Sequence, residues 1–326
     1  MSTDASPPAP PPFDPELGPV LDVLTEVLPP AITPDMIPRL RQPVPGMEPP
    51  TNEELSRDGA FELEELSAPG PAGDVPLLVC RPSGAPGPAG AVFYAHGGGM
   101  VIGDNRMGLP EVLDWAQELR LVVVSVEYRL APEHPHPIPV EDCYAGLTWT
   151  AKNAADLGAD PDRLVVAGLS AGGGLAAALA LMARDRGGPA LAGQLLMCPM
   201  LDDRGATVSA AQMAGLGVWD RTANETGWTA LLGEARGGPE VSPYAAPARA
   251  EDLSGLPPAF IDVGSAETFR DEDVAYASRI WQAGGQAELH VWPGGFHSFD
   301  LLVPDAALSV AAKRARVSWL RRLLGA

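Results

Sequence analysis

The 326-residue chain carries 22 Lys+Arg against 42 Asp+Glu, a net charge of −20, and 46% of its residues are hydrophobic. That apolar share is ample for a buried core, whereas so acidic a chain repels phosphate backbones and anionic lipid, which argues against nucleic-acid or membrane-surface binding. No apolar run approaches the ~18 residues of a membrane span, and no basic-then-apolar leader opens the chain, so the expected setting is a reducing cytoplasm. Cys80, Cys143 and Cys198 are odd in number, far apart and set in apolar stretches. They are expected to be small buried hydrophobes, with no disulfide or metal role.

In chain order, the proline-rich start "MSTDASPPAPPPFDP" predicts initial disorder. Apolar spacing then predicts a helix over 16–28 and a shorter one over 34–42. Strands are expected at 61–66, 75–81, 90–96, 121–129, 163–169, 193–201, 258–264 and 287–292, several of them continuous aliphatic runs that suit burial on both faces. Helices are expected at 107–119, 139–156, 171–185, 272–284 and 305–324. Alternation of this kind means right-handed crossovers and an α/β fold, a mostly parallel eight-stranded sheet with helices on both faces. The first strands have no helices between them, which predicts an antiparallel edge. Residues 202–233 are too long for an ordinary connection and read as part of a helical cap. The expected organisation is an N-terminal segment 1–50 with cap helices, a core of 51–201 and 241–326, and a cap insertion over 202–240.

Two motifs carry chemistry. In "VVAGLSAGGG", Gly168-Leu169-Ser170-Ala171-Gly172 lies between a strand and a small-residue helix. Glycines flanking a serine at so sharp a turn relieve collisions and push its hydroxyl outward at a helix N-terminus. "HGGG" at 96–99 ends the third strand. Attack of a serine on an acyl carbon creates an oxyanion that needs donors roughly 3 Å away. The backbone N–H groups of Gly98 and Gly99, with that of Ala171, can supply them. His96 is expected to order this loop, and His297 in "WPGGFHSFD", in the loop after the last strand, is the expected base. His290 lies within a strand. His134 and His136 sit in a proline-rich loop without a third metal ligand.

With "HGGGMVIGD", "VEYRLAPEHPHPIPVEDCYAGL", "DPDRLVVAGLSAGG", "FRDEDVAYA" and "GGFHSF" in place, the chain from about residue 50 onward resembles the bacterial hormone-sensitive-lipase-like group (family IV) of α/β-hydrolases. The resemblance implies carboxylic ester hydrolysis by a Ser-His-acid triad, an N-terminal cap over the pocket, no cofactor and no metal. His297 completes the order serine, acid, histidine that the fold uses. Relatives carry an aspartate in a D-P-L-R-D-E-like segment, where this chain has "ETFRDE". That match assigns the acid to Glu267, with Asp271 as the alternative and expected helix cap, and with Asp262 as a structural mid-strand residue. Leu169 departs from the aspartate or threonine of many relatives.

His96, Gly97, Leu169 and Trp219 are the expected substrate-binding residues. Trp219, Trp228, Met213 and Leu216 either wall a closed apolar pocket for short or medium acyl chains or pack the cap onto the sheet. Asp104 and Glu133 are expected to hydrogen-bond loop backbone near the pocket mouth. Alternatives left open are a lactone, amide or acetylated metabolite as substrate, a dehydratase-like activity, and a non-hydrolytic small-molecule binder like the plant gibberellin receptors, which resemble this group. The resemblance also allows a homodimer through a sheet edge.

Overall fold

The computed structural model describes residues 8–27, 31–42, 48–84 and 87–325. Its strands are β1 (Phe61–Gly70), β2 (Gly73–Pro82), β3 (Ala89–Ala95), β4 (Val122–Val126), β5 (Ala159–Leu169), β6 (Gly193–Met197), β7 (Ala259–Gly264) and β8 (Ala287–Trp292). They form an eight-stranded sheet in the order β1-β2-β4-β3-β5-β6-β7-β8. β1 and β2 are antiparallel, β2 meets β4 antiparallel, and every pair from β4 to β8 is parallel. This is the mostly parallel α/β sheet with an antiparallel edge that the alternating pattern predicts, in line with the fold that the resemblance implies.

The strands are apolar on both sides because each side meets helices. Leu77, Val79, Phe93, Val124, Val166 and Ile261 pack into one core layer, and their neighbours Leu78, Cys80, Val92, Val123, Val165 and Phe260 into another. This two-residue alternation is the pleat expressed in side chains. The first layer receives Ile138–Lys152, Ala171–Arg186 and Arg270–Gln282. The second receives Leu109–Leu119 and Ala307–Leu324.

Several boundaries differ from expectation. β4 ends at Val126 instead of 129: Glu127 N still donates to Pro76 O, in register with the Leu77–Val126 pair, but the proline has no N–H to return and the ladder stops there. β6 ends at Met197 because Cys198 takes φ +36 and turns the chain. Residues 202–233, expected as cap, form the short helix Val208–Gln212 and the helix Arg221–Leu232. Of the proline-rich start, residues 1–7 lie outside the described residues, as does residue 28 at the end of the first expected helix. Part of the remainder is ordered, against expectation. Phe13 meets Phe296 edge-on and Asp14 N donates to Gly294 O at 3.0 Å. The helix Gly18–Val27 follows, with Leu17 and Leu21 buried beside Phe296 and Phe299.

Candidate active site

β5 delivers Ser170 to the mouth of the Ala171–Arg186 helix with φ +57 and ψ −117, a backbone state that stores strain in any residue bearing a Cβ. The turn closes only because its flanks are bare. A Cβ on Gly168 would stand 2.0 Å from Gly172 O, and one on Gly172 2.0 Å from Ala95 O. Ser170 is 4% exposed, and its Oγ lies 2.9 Å from His297 Nε2. His297 Nδ1 lies 3.2 Å from Glu267 Oε1. With Nδ1–H donating to the carboxylate, Nε2 is free to accept the serine proton.

Glu267 is held in the loop between β7 and the Arg270–Gln282 helix, where it accepts from Gly264 N at 3.4 Å and Phe269 N at 3.3 Å. Phe269 packs edge-on to the His297 ring. The three residues, separated by as many as 127 positions, thus form one hydrogen-bonded chain.

The glycine loop curls over the serine. Gly98 takes φ +104, and a Cβ there would fall 2.1 Å from Ile102 O; Gly99 takes φ +60 with the Trp219 ring as close. Among the described residues, the backbone N–H groups of Gly98, Gly99 and Ala171 donate to no other group. Ala171 is the first residue of its helix, where N–H groups lack intrahelical partners and the dipole favours negative charge. Arg41 fastens the loop to the N-terminal segment, donating to Val101 O, Ala131 O and Glu133 Oε1.

The site opens into a pocket of about 210 Å³ whose lining is predominantly apolar. Residues 92–301 match the alpha/beta hydrolase fold family. The chain belongs to that family. The hydrolase is 39% identical over 243 residues to carboxylesterase NlhH of Mycobacterium tuberculosis, covering 72% of this chain and 75% of that one. It is similar to the solved bacterial heroin esterase with a TM-score of 0.86 and 39% identity, over 95% and 98% of the two chains. Human hormone-sensitive lipase shares 40% identity over 107 residues, 33% of the hydrolase and 10% of the lipase, in keeping with the resemblance read from the motifs.

The hydrolase departs from the sequence reading in several places. His96 is fully buried and does not line the pocket. It stacks on Tyr128, with Nδ1 2.7 Å from Gly97 O, and burial pushes its ring down to about 4, so it is a neutral part of the loop's framework. Gly97, Leu169 and Trp219 do line the pocket. Trp228 and Met213 are buried elsewhere and Leu216 is exposed, so none of the three forms its wall.

The wall comes instead from Ile32, Leu40, Val218, Leu301 and Leu302. The signal for these was the apolar spacing in "AITPDMIPRL" and the leucine pair following the histidine. Asp271 does not cap its own helix, whose N-cap is Phe269; it accepts from Ser209 N at 2.8 Å and pairs with Arg270. Glu133 pairs with Arg41, while Asp104 accepts from Arg106 N within its loop.

Among the described residues, one group could gather a metal ion: Cys198, Glu267 and His297, with ligand atoms within 4.8 Å of one another. Burial raises the Cys198 thiol well above its ordinary range, which keeps it protonated and a poor ligand, and the other two already bond within the chain to Ser170. Among the described residues no helix is long and apolar enough to cross a membrane.

Proposed function

We propose that this hydrolase is a carboxylesterase acting on small esters of short to medium acyl chains. The observation that carries the reading is the Ser170–His297–Glu267 hydrogen-bond chain at the floor of an apolar pocket, beside three uncommitted amide donors. Ser170 attacks the ester carbonyl as His297 Nε2 takes its proton, and Glu267 stabilises the imidazolium. Gly98, Gly99 and Ala171 N–H groups receive the oxyanion. The imidazolium protonates the departing alcohol, and water, activated by His297, then releases the acid and restores Ser170. Every step uses only side chains and amides of the protein together with water.

A pocket of about 210 Å³ lies below the ~300–1,000 Å³ typical of drug-sized ligands, and none of its lining residues is Asp, Glu, Lys or Arg. This favours short uncharged acyl groups. We read the N-terminal helices with 202–240 as a cap, since Ile32, Leu40, Val218 and Trp219 cover the serine. The three buried free cysteines suit a reducing compartment, and β8, the terminal strand with Val291 40% exposed, offers the edge for a homodimer.

The test is Ser170→Ala with p-nitrophenyl butyrate, together with fluorophosphonate labelling of the unaltered protein. Turnover should fall by at least ~10³ and the wild type should label. Persistent turnover in the variant would overturn the mechanism, and an unlabelled wild type would favour a binding protein.

A further inference from the structure

Behind the triad, a single guanidinium joins the two loops that carry its acid and its base. Arg316, 3% exposed on the Ala307–Leu324 helix, donates from Nε to Asp262 Oδ2 at 2.9 Å and from Nη1 to both Asp300 and Glu111. Asp262 sits on β7, whose last residue, Gly264, donates its N–H to Glu267 Oε2. Asp300 lies three residues beyond His297, in the helical turn Phe299–Leu302. Within residues 296–302, the Asp300–Arg316 contact is the one side-chain hydrogen bond among the described residues besides those made by His297 itself. A narrow cleft lined by Cys198, Glu267, Asp300 and Arg316 brings the triad acid and this cluster into one low-dielectric space.

Resting on the triad reading above, we propose that Arg316 is a positioning residue. Its fork fixes the separation between the acid loop, through Asp262, and the histidine loop, through Asp300, and so sets the Glu267–His297 bond. Arginine suits the task because its planar fork addresses two carboxylates at once, which a point-charge ammonium does less well. Three buried acids around one cation would be costly if all were ionised. Burial, reinforced by Asp300, pushes Glu111 up to about 8, so the cluster does not hold three ionised acids near neutrality.

Asp300→Asn is the main test, because it leaves Arg316 paired with Asp262 and Glu111. kcat on p-nitrophenyl butyrate should fall at least ~10-fold, since sub-ångström displacement of a reacting group is felt directly in rate. KM should stay within about twofold and fluorophosphonate labelling should slow in step with kcat. Arg316→Lys should show an intermediate loss, and it reads the same question if Asp300→Asn fails to fold. Asp142→Asn removes a buried carboxylate bound to Arg129 N and its guanidinium, on the Ile138–Lys152 helix outside the cap and both loops, and serves as the structural control. It should lower Tm with kcat unchanged. Wild-type kcat and labelling in folded Asp300→Asn or Arg316→Lys, or equal kcat losses in Asp300→Asn and Asp142→Asn, would overturn the proposal. Failure of the triad reading is separately visible as an unlabelled wild type.

Discussion

Replacing Glu267 by Gln preserves its shape but removes the charge facing His297 Nδ1, and its single amide oxygen can keep only one of the bonds from Gly264 N and Phe269 N, which in the glutamate go to different oxygens. The amide can also turn its NH2 toward Nδ1, which then accepts and puts the proton on Nε2, where it blocks uptake from Ser170. Neutralising a triad carboxylate costs of order 10³–10⁴ in kcat, or ~4–5 kcal/mol of transition-state stabilisation. Glu267→Asp keeps the charge but withdraws it by about one C–C bond, ~1.5 Å. The 3.2 Å contact to Nδ1 then opens well past hydrogen-bond range, and a loss of ~10² is expected. Asp271→Asn is the counterpart, because its carboxylate serves Ser209 N and Arg270 and makes no bond to the histidine. Its kcat should stay within about threefold, with a stability loss of ~1 kcal/mol from a weakened hydrogen bond. The assay is kcat on p-nitrophenyl butyrate at neutral pH, with Tm recorded for each variant. A larger kcat loss in Asp271→Asn than in Glu267→Gln would refute the assignment.

Gly98→Ala should lower kcat at least ~10² while leaving KM nearly unchanged, because a Cβ 2.1 Å from Ile102 O must push the loop and its amide donors aside; near-normal kcat would remove Gly98 from the oxyanion site. In an ester series from acetate to laurate, kcat/KM should peak at six carbons or fewer, and Leu302→Ala, which widens the pocket, should move the peak to longer chains; a laurate optimum in the wild type contradicts the pocket reading. Glu111 supplies a pH test. Its carboxyl is pushed from 4.5 up to about 8 by burial and by Asp300, against the opposing charges of Arg316 and Lys313. The folded state therefore holds a proton that the unfolded chain releases above 4.5, so this contribution is complete below that pH and declines as pH rises to about 8. Glu111→Gln cannot titrate, and its Tm should fall less between pH 5 and 8 than that of the wild type; parallel Tm curves would contradict the assignment.

The sheet was legible because burial on both faces leaves a mark that no surface strand leaves. Runs such as "AVFYA" and "LVVVSV" have no polar side to offer solvent, and both became inner strands. The elbow and the glycine loop were legible for a steric reason, since a backbone that must pass 2.0 Å inside a Cβ position admits only glycine and so writes itself into the chain. Other features left no such mark. Pocket walls need only an apolar side chain of suitable size, so Leu302 and Leu40 read no differently from core leucines, and the sequence left Trp228, which is buried away from the pocket, open between wall and cap packing. His96 carried the opposite ambiguity: a titratable ring in a catalytic motif, made inert as an acid or base by complete burial.

Glu267 lies between these extremes. An acid was legible after β7, but choosing it over Asp271 turned on which carboxylate the loop turns inward. That direction is fixed by Gly264 N, Phe269 N and, on the far side, Ser209 N drawing Asp271 away. Selection of the acid is therefore a property of the amide donors around the loop, and loss of the Ser209–Asp271 bond should free Asp271 without bringing it to His297.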